Sequence, residues 1–465
     1  MRVKLLLLSA GVILIGRYIY NLLYWVPPTP VIEDIIWKSG NNLTDNTIYP
    51  FRISIPQQDL EDLKQRLRNS KLSPPLQKID FEYGINTNQL QKVIDYWANE
   101  YDWRKREQFL NAVPQFRTQI FGLNIHFIRV KPDAKLVGNK KVLPLLLLHG
   151  WPGSVREFYD VFPLLTTPRK EYDFVFEVVA PSLPGYGFSD AATVPGMNTA
   201  QVAKIMKKLM NRLGFEKFYV QGGDWGFGIG SNLVTLNPES VLGFHSNMCF
   251  HLYQTPLSII KFILGSFYPS LIVDKKYEAK LYPLSKHIYS TISVSGYLHL
   301  QATRPDTLGV GLTDSPTGLA GYILEKFAWS VKAKWTEGPD EEITDLFEGK
   351  FAIDDLLDNL MIYWTTSSIT SSMRLYAETF SPEFQSLHLN RIPTYVPTVC
   401  AYYPKEVLFS PESLVRDKFK NLVHSSHLPR GGHFAALEEP VLFADDLWKG
   451  YCILQNHINN KKQPC

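Results

Sequence analysis

Several common signatures are missing from the sequence, and each absence narrows the function. No Gly-X-Ser-X-Gly motif occurs, so the chain does not present a serine at a strand-to-helix turn as many hydrolases do. Neither sign of charge dominates: 48 Lys and Arg stand against 45 Asp and Glu, and the net charge of +3 indicates no nucleic-acid-binding surface. Gly226 and Gly228 are followed by Ser231 rather than by a third glycine, which disfavours a dinucleotide-binding loop.

Metal ligands and cysteines are also scarce. His424 and His427 have a metal-like spacing but lack the glutamate of an H-E-x-x-H motif, and we interpret both as structural or exposed. The four cysteines are Cys249, Cys400, Cys452 and Cys465. Their wide spacing predicts neither a metal site nor a disulfide framework, and it suits a reducing compartment or a lumenal one with free thiols. We therefore expect no metal and no organic cofactor.

The most informative stretch that is present runs from Phe218 to Gly228. A short apolar run leads into Asp224, which has Gly222 two residues before it and Gly226 two residues after it, and a helix-compatible segment follows. This is the layout of a nucleophile elbow, in which small neighbours let a strained turn pack closely. The simpler alternative is a glycine-rich turn in which Asp224 caps the following helix.

An aspartate at this position changes the chemistry that the turn supports. A carboxylate attacks a saturated carbon and forms an alkyl ester, whereas a serine attacks a carbonyl group. Water must then attack the carbonyl carbon of Asp224 itself. Such a site suits strained or activated C–O and C–halogen bonds rather than peptide bonds.

The amino terminus differs from the rest of the chain. Residues 5–15 are almost wholly apolar and residues 18–26 continue the run, with Arg17 as the only charge between them. One bilayer crossing needs about 20 such residues, so we predict a single-pass anchor over residues 5–26. A cleaved signal peptide is the alternative, but no small-X-small cleavage site follows. Arg2 and Lys4 favour a cytosolic amino terminus, and the sequon at Asn42 is usable only if the body is lumenal.

Alternating strands and helices predict an α/β fold with a parallel sheet. Residues 145–148 and 174–180 read as buried strands, and the amphipathic segment from Val202 to Leu213 separates the second of them from the Asp224 strand. Helical stripes mark an extension before residue 118, in which we place Trp103, Arg104, Lys105 and Arg106 on a solvated face. The predicted divisions are an anchor (1–30), an N-terminal extension (31–118), the first core part (119–250), a helical cap (251–390) and the second core part (391–465).

Three side chains follow one another in the chain order of an α/β-hydrolase triad. The order is Asp224, then Glu406 in a loop after a strand, then His433 in a Gly-Gly-His turn ahead of the last helix. Glu406 would hold the imidazole in the right tautomer, and His433 would act as general base. The backbone N–H groups of Trp151 and Trp225 are placed to form an oxyanion hole. The simpler alternatives are a surface glutamate and a solvated histidine.

With these motifs assembled, the chain resembles the microsomal epoxide hydrolase family. The matching motifs are HGWPGS at 149–154, GGDWG at 222–226 and GGHFAALEEP at 431–440, together with the anchor and the helical extension. The likeness covers almost the whole chain, and within the family it is greatest to the insect juvenile hormone epoxide hydrolases. One departure is Phe227, where a smaller residue is expected; it affects packing rather than chemistry.

The resemblance implies an α/β-hydrolase fold with a helical cap, acting on lipophilic epoxides such as juvenile hormone. It also implies that Tyr297 and Tyr376, two tyrosines of the cap, hold and protonate the epoxide oxygen. The matching positions for the acid and the histidine are Glu406 and His433. A location in the endoplasmic reticulum membrane follows from the same likeness, with the body on the cytosolic side, against the charge distribution at the amino terminus.

Two other functions remain open on the sequence alone. A haloalkane dehalogenase would also use a carboxylate nucleophile, with halide-binding donors in place of the tyrosine pair, and halide release distinguishes it. A lipophilic-ligand binder on the same fold would carry out no turnover, and a degraded site would favour it. Preferred epoxide, regiochemistry of opening and oligomeric state are not determined by the sequence.

Overall fold

The computed structural model describes residues 2–39, 45–79, 81–252, 254–331, 347, 349–460 and 465, without the side chains of residues 2–10. The sequon at Asn42 lies outside the described residues.

One mixed sheet of nine strands forms the centre of the described chain, in the order β1-β2-β3-β5-β4-β6-β7-β8-β9. The pairs β1–β2, β2–β3 and β3–β5 are antiparallel. The remaining neighbours in the sheet, from β5–β4 to β8–β9, pair in parallel. The strands are β1 (Ile48–Phe51), β2 (Gln115–Ile120), β3 (Leu123–Val130), β4 (Lys141–Leu148), β5 (Phe174–Pro181), β6 (Phe218–Gly222), β7 (Val241–Ser246), β8 (Thr398–Tyr402) and β9 (Leu422–His427).

Helices pack on both faces of this sheet and extend beyond its ends. They are α1 (Arg2–Tyr24), α2 (Gln57–Arg68), α3 (Thr87–Asn99), α4 (Trp103–Leu110), α5 (Ala134–Val137), α6 (Phe162–Thr166), α7 (Thr199–Arg212), α8 (Asp224–Leu236), α9 (Pro256–Gly265), α10 (Leu284–Val294), α11 (Gly296–Thr303), α12 (Pro305–Asp314), α13 (Pro316–Val331), α14 (Ile353–Thr366), α15 (Ile369–Thr379), α16 (Pro382–Gln385), α17 (Glu412–Lys418), α18 (Ala435–Glu438) and α19 (Pro440–Ile458). Short 3-10 turns occupy Val155–Phe158, Pro269–Leu271, Lys275–Lys280 and Leu389–Arg391.

The centre of the sheet explains why the site lies where it does. Leu145 to Leu148 are buried in β4, as their continuous apolar run predicts for a strand covered on both faces. In the parallel pairing of β4 with β6, Leu148 lies opposite Gly222. The segment that begins at His149 and the turn that holds Asp224 therefore leave the same edge of the sheet side by side.

The N-terminal extension packs on its predicted apolar stripes, but α4 corrects one expectation. Trp103 is buried, and Arg106 donates hydrogen bonds to Asp355 and to both carboxylate oxygens of Asp358 on α14. Arg156 also donates hydrogen bonds to the carboxylates of Asp358 and Asp355. The prediction of a solvated face holds for Arg104 and Lys105, which are exposed. It was wrong for Trp103 and Arg106, because the partners of Arg106 lie 249 and 252 residues further along the chain. The predicted division boundaries stay a prediction.

The N-terminal segment is helical from Arg2 to Tyr24. Arg391 donates to the carbonyl oxygens of Leu22 and Trp25, and the Trp25 ring lies edge-on to His388 at 5.5 Å. These contacts fix the end of α1 against the body. Among the described residues, no helix combines the length and the apolar character that are needed to cross a membrane.

All four cysteines are paired, which corrects the expectation of free thiols. Cys249 bonds to Cys400, and Cys452 bonds to Cys465. Cys400 lies in β8 and Cys249 lies just beyond β7, the strand that pairs with β8. The spacing of 151 residues hides this proximity in the sequence, because the whole cap is inserted between the two strands.

Candidate active site

The turn between β6 and α8 holds Asp224 in a strained conformation. Asp224 has φ of 48°, a left-handed value that a residue with a side chain rarely adopts. A Cβ on Gly222 would overlap the carbonyl group of Gly226, and a Cβ on Gly226 would overlap the carbonyl oxygen of Leu148. The turn therefore requires both glycines, and it presents the Asp224 carboxylate at the carboxyl edge of the sheet.

One oxygen of that carboxylate is already held by the backbone. The N–H of Trp151 donates to Asp224 Oδ1 at 2.7 Å. A Cβ on Gly150 would overlap the Asp224 side chain, so the backbone after β4 approaches this closely only because position 150 is glycine. Trp225 is the next residue of α8, at the helix amino terminus, where backbone N–H groups lack intrahelical partners. The other oxygen, Oδ2, is left to face the site.

His433 joins Asp224 to Glu406. Its Nδ1 lies 2.7 Å from Glu406 Oε1, and its Nε2 lies 3.6 Å from Asp224 Oδ2. The backbone N–H groups of Val407 and Leu408 donate to the same Glu406 oxygen at 2.7 and 3.3 Å. Because Glu406 is held in this way, it accepts from the Nδ1–H of His433 and leaves Nε2 directed at the nucleophile.

The charge on His433 depends on both carboxylates. Burial lowers its pKa, but the carboxylates of Glu406 and Asp224 together raise the pKa well above its usual value. His433 is therefore an imidazolium while Asp224 is a free carboxylate. Loss of the negative charge on Asp224 removes one of the two groups that keep this proton bound.

Two tyrosines from the cap close the site over Asp224. Tyr297 lies on α11 and Tyr376 on α15, with ring centroids 6.2 Å apart. The Trp151 ring stacks on Tyr297 at 5.4 Å, and the Trp225 ring lies edge-on to Tyr376 at 4.6 Å. Burial and the negative charge of Asp224 raise the pKa of Tyr297, so the phenol is protonated at neutral pH.

A small chamber lies behind the nucleophile. Its volume is about 20 Å³, which is room for a water molecule. Asp224, His433, Glu157, Gln221 and Asn247 all line it. Gln221 donates to Asn247 at 2.7 Å, and Gln221 Oε1 is buried with no hydrogen-bond partner among the described residues. A polar chamber beside both the nucleophile and the imidazole is suited to hold the water that the chemistry needs.

Glu157, Gln221 and Asn247 were missed by the sequence reasoning. Glu157 follows the HGWPGS motif by three residues, and its carboxyl group occupies the space that a Cβ on Gly153 would fill. Burial raises the pKa of Glu157 to about 8, with a further increase from Asp224 and opposing effects of His433 and the Ser154 N–H. The signal for Glu157 in the sequence was its position three residues after the HGWPGS motif.

The two histidines with metal-like spacing lie away from this site. His427 stacks between Tyr277 and Tyr402 and hydrogen-bonds to the Tyr277 hydroxyl at 2.7 Å. Among the described residues, no group of three or more His, Cys, Asp or Glu side chains is arranged to hold a metal ion.

Comparison with known proteins agrees with this geometry. A family model described as the epoxide hydrolase N terminus matches residues 48–158, and a model of the alpha/beta hydrolase fold matches residues 144–267. The chain is 47% identical over 453 residues to juvenile hormone epoxide hydrolase 2 of Ctenocephalides felis, covering 97% of this chain and 96% of that protein. It is 44% identical to epoxide hydrolase 1 of Oryctolagus cuniculus over 90% of this chain and 92% of that protein.

A solved structure shows the same architecture. The crystal structure of juvenile hormone epoxide hydrolase from the silkworm Bombyx mori superposes with a TM-score of 0.87 at 43% identity, covering 92% of this chain and all of that one (100%). The predicted α/β-hydrolase fold is thereby confirmed.

Proposed function

Since this chain belongs to the microsomal epoxide hydrolase family and is itself an epoxide hydrolase, we propose that it opens juvenile hormone and similar lipophilic epoxides to vicinal diols through an alkyl ester on Asp224. The observation that carries this proposal is the placement of Asp224, with one oxygen bound by the Trp151 N–H, between a histidine–glutamate pair and two buried phenols. The preference for juvenile hormone is supported by the juvenile hormone epoxide hydrolases of Ctenocephalides felis and Manduca sexta, to which the chain is 47% identical.

In the first step, Asp224 Oδ2 attacks an epoxide carbon. The C–O bond of the ring breaks, and its electron pair goes to the epoxide oxygen, which takes a proton from the Tyr297–Tyr376 pair. A phenol suits this role because it is protonated in the resting site and donates as charge develops on the oxygen. The product of this step is an ester between Asp224 and one carbon of the substrate.

The second step depends on the change of charge at Asp224. Ester formation removes the negative charge beside Nε2 of His433, so the pKa of His433 falls and its proton passes to the tyrosinate that the first step left. The neutral imidazole then takes a proton from a water molecule in the chamber as that water attacks Cγ of Asp224. The N–H groups of Trp151 and Trp225 stabilise the resulting oxyanion. Collapse breaks the bond between Cγ and the alkoxy oxygen, which takes the proton from His433 and leaves as the diol. The second proton of the water, left on the Asp224 carboxyl group, passes to His433 and restores the carboxylate and the imidazolium.

The pairing of phenols is also what distinguishes this site from a dehalogenase. A halide leaving group carries its charge away and needs no proton, whereas an epoxide oxygen stays attached and must be protonated. Two phenols on separate cap helices, whose pKa values burial and the charge of Asp224 both raise, fit the second requirement.

The test is a single turnover of juvenile hormone with the full chain in excess, in ¹⁸O-labelled water. The ester route predicts label in Asp224 and an unlabelled first diol, because the hydroxyl oxygen comes from the carboxylate. Labelled diol with unlabelled enzyme would mean that water attacks the epoxide directly. Asp224→Ala is expected to abolish diol formation and to keep the fold, and unchanged turnover in that variant would refute the mechanism.

We also propose that residues 5–26 attach the protein to the endoplasmic reticulum membrane. Support comes from the apolar sequence of α1 and from the exposed side chains of Val12 to Ile15 and Tyr18 to Tyr20 on it. Retention of the full chain in microsomes after alkaline extraction is expected, and its release would contradict the proposal. Glycosylation of Asn42 in microsomes would place the body on the lumenal face, and an unmodified Asn42 on the cytosolic face.

A further inference from the structure

A second apolar surface lies next to α1, on the catalytic body itself. Residues 256–273 contain a single charged residue, Lys261, in a stretch rich in Ile, Leu and Phe. Ten of these residues form α9, and the Pro269–Leu271 turn follows. We define the α9 apolar surface by the exposed side chains of Ile259, Ile260, Ile263, Leu264, Phe267, Tyr268 and Leu271.

Exposure on this surface is high for apolar residues of this size. Leu264 is 56% exposed, Phe267 72% and Leu271 74%. The adjoining helix α10 adds Ile288, Tyr289 and Ile292, and the Phe262 ring meets His287 of α10 edge-on at 5.5 Å. An exposed apolar area of this kind marks a site of contact with a protein or a membrane.

The one charge in the stretch is turned inward. Lys261 Nζ lies 2.6 Å from Asp417 Oδ2 on α17, so the ammonium group is neutralised against the body. On the buried face of α9, Phe262 packs into a small apolar core with Leu281, Tyr282 and Leu414. One face of α9 is thus anchored in the fold, and the opposite face presents only aliphatic and aromatic side chains.

The position of α1 indicates what covers this surface. Helix α1 packs beside α9, and its end is held by Arg391, whose neighbour Asn390 hydrogen-bonds to Gln254 just before α9. The exposed apolar side chains of α1 and of α9 therefore adjoin. Beyond the stretch, exposed Asp274 is followed by exposed Lys275 and Lys276, so this end carries a net positive charge where cations meet lipid phosphates when the preceding apolar residues are in the acyl region.

We propose that the α9 apolar surface is a lipid-binding face, which holds the catalytic body down on the membrane beside α1. The length of α9 is ten residues, or about 15 Å, roughly half the thickness of the hydrocarbon core. A helix this short lies in the plane of the interface rather than across it. The proposal rests on membrane attachment through α1 and is independent of the substrate.

The experiment uses the full chain in vesicles of phosphatidylcholine and phosphatidylserine. The four native cysteines are disulfide-bonded, so Leu264→Cys introduces one thiol for an environment-sensitive fluorophore. The matched control is Leu136→Cys on α5, a leucine of similar exposure, 59%, on the connection between β3 and β4. Flotation with vesicles is checked first, so that a failure of attachment through α1 is seen separately.

The expected result is a label at position 264 that becomes several-fold less accessible to iodide on vesicles and is quenched by spin-labelled lipid, while the label at 136 does neither. Equal iodide quenching at the two positions on vesicles would overturn the proposal. Shielding at position 264 without any vesicles would also overturn it, because a second copy or another segment of this chain would then cover the surface.

A functional measurement tests the same surface without a label. The variant Leu264→Ser/Phe267→Ser/Leu271→Ser is expected to raise the KM several-fold for a lipophilic epoxide presented in vesicles. The kcat, and the KM for a small water-soluble epoxide, should stay unchanged, because no substituted residue lines the site. Equal KM values for the vesicle-borne epoxide in the variant and the parent would count against the proposal.

Discussion

At the scale of single residues, the state of the site is set by the charge on Asp224. While that carboxylate is free, it raises the pKa values of His433, Tyr297 and Glu157 together. When it becomes an ester, all three lose the same neighbour. In the proposed mechanism, the resting site thus holds protons for donation to the epoxide, and the ester form releases one from His433 so that the imidazole can act as a base.

Substitution of His433 should separate the two steps. In His433→Gln, we expect the ester to form and then to persist, because no group takes the proton from water, with steady-state turnover reduced by about 10²-fold to 10⁴-fold. Mass spectrometry of the intact variant after mixing with substrate would show the added mass. Tyr297→Phe/Tyr376→Phe is the complementary control, which should slow ester formation itself. Normal turnover without ester accumulation in His433→Gln would contradict the role of this histidine.

The raised pKa of Glu157 predicts that the stability of the fold depends on pH. Its pKa is about 8 in the folded chain against an ordinary value of 4.5, so the folded state binds the extra proton between these pH values and the stability of the fold falls as pH rises across this window. Glu157→Gln removes this loss, and its free energy of unfolding should exceed that of the parent increasingly from pH 5 to pH 8, by on the order of 2 kcal/mol. Denaturant unfolding at several pH values measures this.

The control for that series is Glu216→Gln, since Glu216 is exposed on the surface. Its unfolding curves should follow those of the parent at each pH. A constant difference between Glu157→Gln and the parent over the whole range would show that the Glu157 carboxyl group titrates normally.

At the scale of secondary-structure elements, the junction of β6 and α8 is held by close backbone approach. Gly226→Ala should cost roughly 3 kcal/mol of stability, because its Cβ would overlap the Leu148 carbonyl oxygen in the central strand. Gly228→Ala is the matched change on the same helix. There the nearest atoms would lie 3.7 Å away, so stability should stay the same or rise by up to about 1 kcal/mol. Thermal unfolding of both variants tests the pair, and similar losses would contradict the account.

Helix α4 shows how an element acquires a role that its own sequence does not reveal. Trp-Arg-Lys-Arg reads as a solvated basic turn, yet Arg106 and Arg156 share the buried carboxylate of Asp358. Buried ion pairs of this kind fix how elements dock more than they stabilise the fold. The N-terminal extension, the segment after HGWPGS and the cap are joined at this carboxylate.

At the scale of the whole molecule, the disulfides cross-link segments of very different separation. The Cys249–Cys400 bond closes a loop of 151 residues and the Cys452–Cys465 bond one of 13. Loop entropy alone predicts a loss of roughly 5 kcal/mol for Cys249→Ala/Cys400→Ala and 3 kcal/mol for Cys452→Ala/Cys465→Ala. Denaturant unfolding of each double variant, made in the oxidised full chain, measures which variant loses more stability. A larger loss of stability for the variant without the short loop would contradict the expectation.

The buried strands, the apolar stripes of the extension, the aspartate at the elbow and the chain order of aspartate, glutamate and histidine could all be predicted from the amino-acid sequence. These features are local, because side-chain periodicity and turn geometry act within a few residues. The tyrosine pair came from resemblance alone, since nothing near Tyr297 or Tyr376 sets them apart from the other tyrosines.

The folded chain was needed to reveal the cysteine pairs, the water-sized chamber beside Glu157, the burial of Arg106 and the α9 apolar surface. Each depends on segments that meet in space after long separation: the 151 residues between Cys249 and Cys400, or the 252 between Arg106 and Asp358. The free energy of such contacts comes from burial and from charge pairing across the fold. A pattern read within one segment carries no information about a partner that distant.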